Sequence, residues 1–205
     1  MPSHVVVLLS LLVAPLALSC KKGDDDSKSK GIDVDEVKAK MKSDVLPKVT
    51  AKVPKNLGKK LEFEVGTSAD DRVIAAVPKG WKLGVIKAFA PDEDSFGTQM
   101  WISSNCDGMC QAKDWEKVAQ KVDFDGMKTS TSEQVLDEKL PDGRIAIVKD
   151  KSGSGTEQVR IVMVRWKKDA SRYFACRVSL EGAWVPAQDA FVEACKGMEI
   201  VRWGN

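Results

Sequence analysis

The chain has 205 residues, 30% of them charged, with 32 lysines and arginines against 30 aspartates and glutamates. A net charge of +2 spread over mixed signs excludes the broad basic field that holds nucleic acid, and the charged fraction marks a solvated surface. The one histidine is His4.

Val5 to Leu18 is an apolar run interrupted only by Ser10 and Pro15, shorter than the ~20 residues that cross a bilayer as a helix. It reads as the hydrophobic region of an export signal over residues 1–19. The run ends in Ala17-Leu18-Ser19-Cys20, which resembles the lipobox of bacterial lipoproteins, with Ala17 and Leu18 standing where that motif usually carries leucine and a small residue. The resemblance implies that Cys20 is lipidated, becomes the mature N-terminus and holds the protein on a membrane. Lys21 directly after it implies sorting to the outer membrane of the cell envelope. A cut after Ser19 by an ordinary signal peptidase is the competing reading, and gives a soluble secreted or periplasmic protein. Lipidation removes one of five cysteines and leaves Cys106, Cys110, Cys176 and Cys195, an even set suited to two disulfides in an oxidising compartment. Residues 20–32 carry "KKGDDDSKSK", which has no apolar side chain to build a core and reads as a solvated tether. The folded part is then one domain, 33–205, long enough for a real core.

The first helix is expected at "DVDEVKAKMKSDVLP", with Asp33 as cap, Glu36 three residues later, and Pro47 ending the run. Strands follow in "LEFEV", "RVIAAVP" and "GTQMWISS", then a second helix in "QAKDWEKVAQKV". "RIAIVKD", "EQVRIVMVRW" and "RYFACRVSL" read as antiparallel hairpins joined by short turns, Gly153-Ser154-Gly155 being one of them. In the second of these both alternating sets are apolar, so that strand should be central and covered on both faces. A last helix is expected within "VPAQDAFVEACKGMEIVRW", with Pro186 at its start and Gly197 at its end. Phe174, Cys176, Val178 and Leu180 share one strand face, and Ala187, Phe191, Ala194 or Cys195, and Met198 fall on one helix stripe. If stripe packs on face, Cys176 pairs with Cys195, leaving Cys106 with Cys110.

This order gives an α+β domain, an antiparallel sheet with packed helices. "AAVPKGWKLG" and the close through "AFVEACKGMEIV" resemble the PsbP-like group of small α/β/α sandwiches over about residues 70–201. The resemblance implies a binding or scaffolding domain and brings no catalytic residue with it.

Removing the signal removes His4, and with it Ser-His-Asp and Cys-His catalysis and the common zinc hydrolase sites. Cys106, Met109 and Cys110 could form a Cys/Met site for Cu(I), but a copper centre that needs an imidazole is excluded, thioredoxin-like redox motifs use two intervening residues rather than three, and a disulfide is the expected state of the pair. Ser27-Lys28-Ser29-Lys30 lies in the tether without the companion motifs of penicillin-binding enzymes. Asp123-Phe124-Asp125-Gly126 resembles part of a calcium loop, yet Lys121 and Ser132 stand where ligands belong. Neither a metal nor a cofactor is expected. Of six tryptophans, Trp81 and Trp184 lie beside glycine and proline in turns and are the expected exposed candidates for stacking on a ligand. The sequence therefore points to a non-catalytic envelope lipoprotein, partnered by a membrane through its lipid and by an unidentified ligand. The alternatives are a hydrolase built on two carboxylates and a thiol redox or Cu(I) protein using Cys106 and Cys110.

Overall fold

The computed structural model describes residues 32–83, 88–91, 97–105, 114–151, 153, 155–167 and 170–203. The signal, the tether with Cys20, and the pair Cys106 and Cys110 lie outside the described residues.

Helix α1 runs over 34–51, and Asp33 caps it by accepting from the amides of Asp35 and Glu36 at 2.9 and 3.3 Å. Pro47 does not end it. The helix widens into a π turn at Met41–Val45, where the Leu46 amide reaches the Met41 carbonyl, and then resumes as Leu46–Ala51. Proline has no amide to give and crowds the carbonyl four residues back; an extra residue in the preceding turn relieves both conflicts.

Strands β1 (Phe63–Thr67) and β2 (Val73–Pro78) form a small sheet with β10 (Glu199–Ile200), β2 in the middle. The larger sheet has seven strands: β3 (Lys82–Leu83), β4 (Ala88–Ala90), β5 (Gln99–Asn105), β6 (Glu133–Leu140), β7 (Gly143–Lys151), β8 (Glu157–Arg165) and β9 (Tyr173–Glu181). Their spatial order is β3-β4-β5-β9-β8-β7-β6, antiparallel throughout. Helix α2 spans 115–127, beginning as Trp115–Ala119 and ending in a π turn and a 3₁₀ turn. A 3₁₀ turn, Gly182–Ala187, contains Pro186 and leads into α3, Gln188–Lys196.

The two faces of β8 explain the layering. Val159, Ile161 and Met163 point inward, joined by Ile145 and Ile147 of β7 and by Phe174, Cys176, Val178 and Leu180 of β9. This face packs with Ala190, Phe191, Ala194 and Cys195 of α3, with β2, and with Val49 of α1. Val162 and Val164 point to the other face, where Ala146, Val148, Tyr173 and Ala175 meet Trp115, Ala119, Phe124 and Met127 of α2. The domain is thus α+β with antiparallel sheets, and helices lie on both faces of the large sheet. β6 was not expected: its residues are almost all exposed, so it shows no apolar alternation, and it forms the sheet edge through its ladder to β7.

Cys176 of β9 and Cys195 of α3 are fully buried and disulfide-bonded, with Cα atoms 5.6 Å apart. Gly197 caps α3 at φ −81°, so it is not left-handed. What requires glycine there is the approach of α1, since a Cβ would lie 2.4 Å from Cγ1 of Val45.

Candidate functional site: a groove on the outer sheet face

Trp81 and Trp184 do not form an exposed platform. Trp81 is only 8% exposed, and its ring meets Trp184 edge-on at 5.3 Å and Phe191 at 5.7 Å. Both tryptophans belong to the main core, Trp184 partly buried against it. The Pro-Gly turn before Trp81 suggested solvent; the turn instead folds the indole under the Gly182–Ala187 segment.

An open surface exists elsewhere. Helix α2 packs over part of the outer sheet face, and an open groove lies beside it. The strand ladders set two rows there: Trp101 beside Arg177 beside Val162, and Gln99 beside Ser179 beside Arg160. With Val122, Asp123, Gly126 and Met127 of α2 as one wall, Trp101, Arg177, Val162, Ser179 and Arg160 line a groove of about 350 Å³. Trp101 is half-buried, and Val122, 37% exposed, stands at the rim.

A buried polar network holds the groove's floor. The Asp123 side chain is closed off from solvent and sits on the π turn of α2. Its Oδ1 accepts from Nε of Arg177 at 2.5 Å, and its Oδ2 accepts from the Tyr173 hydroxyl at 2.8 Å. Asn105 Nδ2 donates to the same hydroxyl at 2.8 Å, and Arg177 Nη1 donates to Ser103 Oγ at 3.0 Å. The network joins β5, β9 and α2 and fixes Arg177 in place, while its side chain remains 28% exposed. Arg160 donates through Nη2 to Asp150 Oδ2 at 2.8 Å, but its Nε is buried and has no hydrogen-bond partner. The Lys151 amide chiefly, helped by Thr129, Arg160 and Thr131 and opposed by desolvation, holds Asp150 below the ordinary aspartate value, so it stays a fixed anion beside Arg160. At the neighbouring corner desolvation opposes ionisation of Asp70, but bonds from Ser104, Ser68 and the amides of Arg72 and Asp70 outweigh it and keep its pKa low.

The arrangement places two guanidinium groups held by acids, Arg160 on Asp150 and Arg177 on Asp123, beside an indole and a valine. Such a surface holds a carboxylate or carbonyl oxygen together with a flat or apolar group. Both oxygens of Asp123 are engaged and shielded, so it cannot reach a water or a leaving group. Among the described residues no cluster of three potential metal ligands occurs. No described helix is long and apolar enough to cross a membrane.

Trp101, Arg160, Arg177 and Ser179 were missed as site residues although a signal for two strands was present. In "GTQMWISSN" the period of two sets Gln99, Trp101 and Ser103 opposite Met100 and Ile102. In "RYFACRVSL" it sets Arg177 and Ser179 opposite the apolar face that carries Cys176.

No protein-family model matches the chain, and no curated protein matches it significantly. Solved structures similar to it include the Ran-binding protein Mog1p of Saccharomyces cerevisiae, 8% identical with a TM-score of 0.46, over 69% of this chain and 97% of that one. Cyanobacterial PsbP from Synechocystis is also 8% identical, with a TM-score of 0.39, over 67% of this chain and 92% of that one. At that identity no groove residue carries over from either.

Proposed function

We propose that the chain is a non-catalytic binding domain of the cell envelope, tethered by lipid at Cys20, that holds its ligand in the groove between α2 and strands β5, β9 and β8. One observation carries the binding half of this reading: Arg160, Arg177 and Trp101 converge on an open groove whose acids are already occupied. Among the described residues Asp123 is the acid that lines the groove and Asp150 stands behind Arg160, and each is paired with an arginine. A glycosidase needs one carboxyl free to give a proton and a second free to attack or to activate water. The lipobox-like end of the signal and the count of five cysteines support the anchor. A photo-crosslinking residue placed at Val122 in intact cells should give a discrete adduct, abolished by Trp101→Ala. The same probe at Glu64, exposed on the small sheet, should give none. Identical adducts from both positions, or none from Val122, would remove the groove as the binding surface.

A further inference from the structure

Between residues 38 and 60 the chain holds eight lysines, at 38, 40, 42, 48, 52, 55, 59 and 60, and one acid, Asp44. The remainder of the chain is left with 24 basic and 29 acidic residues out of the totals of 32 and 30, so the molecule is polarised despite its near-neutral sum. All eight lysines are exposed, on α1 and the turns that follow it. None has an ion-pair partner among the described residues, whereas Lys79, Lys117, Lys139 and Lys196 each meet a carboxylate. On α1 itself Lys38 and Lys42 stand four apart, and so do Lys48 and Lys52 across its end, a spacing at which like charges weaken a helix. A helix kept only for solubility would interleave glutamates, which remove that repulsion. The acids just upstream, Asp33, Asp35 and Glu36, are accounted for by the cap and first turn.

We propose that this lysine-rich segment is a second, electrostatic attachment surface, which lies against the anionic headgroups of the membrane that holds the lipid. The placement rests on Cys20 being the anchor. Eleven residues separate Cys20 from Ile32, a span of at most ~40 Å even fully extended, so the first charged helix after the anchor cannot leave the neighbourhood of the bilayer. The surface also sets the domain's orientation, since α1 and α2 pack in different clusters on opposite faces of the large sheet. With α1 against the membrane, the groove beside α2 faces away from it.

The test uses the mature chain with Cys20→Ser, produced without its signal and so without lipid. Among the described residues the first buried one is Met41, so the change at Cys20 does not touch the described core. The probe is sedimentation with vesicles of phosphatidylcholine alone, or with about 30% phosphatidylglycerol. The chain should bind only the anionic vesicles, and should release from them as salt rises from about 50 to 300 mM. At about fivefold per lysine, Lys38→Gln/Lys42→Gln/Lys48→Gln/Lys52→Gln should weaken binding about two to three orders of magnitude with an unchanged circular dichroism spectrum. A control with the same charge change, Lys121→Gln/Lys128→Gln/Lys149→Gln/Lys151→Gln, should bind nearly as the parent does. Equal binding to neutral vesicles, or equal loss in the control, would overturn the proposal. So would retention on polyglutamate without vesicle binding, which would assign the surface to an acidic protein. Because this chain carries no lipid, the result does not depend on whether Cys20 is modified in cells.

Discussion

Replacing both cysteines of the buried bridge, Cys176→Ala/Cys195→Ala, should lower the unfolding free energy by about 3 kcal/mol, because the bridge closes a loop of sequence separation 19 in the unfolded chain. For a domain of this size that corresponds to a fall in melting temperature of roughly 6 to 12 °C. The bridge pins α3 to the middle of the large sheet, and both half-cystines are fully buried, so no alternative contact replaces it. A bridge between Cys106 and Cys110, which we propose as the second disulfide, would by the same model contribute only about 2 kcal/mol. Thermal unfolding of the two double variants side by side checks the order. A larger loss from Cys106→Ala/Cys110→Ala would show that the 106–110 segment bears more of the fold than its loop length implies.

Asp123→Ala should cost about 2 to 3 kcal/mol, near the lower end for a broken buried ion pair, because Arg177 is 28% exposed and can partly rehydrate. The loss arises chiefly from the Arg177 guanidinium, which loses the carboxylate that neutralises it, while the Tyr173 hydroxyl loses one of its bonds. Asp123→Asn keeps one oxygen and should cost less. Asp123→Ala/Arg177→Met removes the stranded charge and should recover part of the stability, since replacing both partners by apolar groups is often close to neutral. Urea unfolding of the single and double variants measures the coupling. Strictly additive losses would mean that the two side chains do not act as one unit.

Much of the architecture could be read from local pattern, and particular residues show where that stops. The doubly apolar alternation of "EQVRIVMVRW" identified β8 as a strand covered on both faces, and it lies inside the large sheet. The facing stripes of "YFACRVSL" and the last helix placed Cys176 against Cys195. Asp33 caps α1 as its sequence context predicts. Pro47 misled because a π turn absorbs a proline without breaking the helix, and no residue pattern marks such a turn. β6 left no trace because an edge strand needs its hydrogen-bonding partner more than an apolar face. Trp81 misled because its burial is decided by Trp184 and Phe191, about a hundred residues away. The groove was half visible, with Trp101 and Arg177 each on the polar face of its own strand. What brings them together is the β5 to β9 ladder, and no local pattern specifies which strands become neighbours.

The proposed envelope location, the lipid anchor and the placement of the lysine-rich surface depend on export and on Cys20 as the first residue of the mature protein. The most direct measurement is the intact mass of the protein recovered from cell membranes, before and after reduction. The account predicts a chain beginning at Cys20 that carries the added mass of a lipid, alkylated at none of its four remaining cysteines before reduction and at all four after it. A chain that is unmodified at Cys20, begins elsewhere, or reacts with the alkylating reagent before reduction would contradict it.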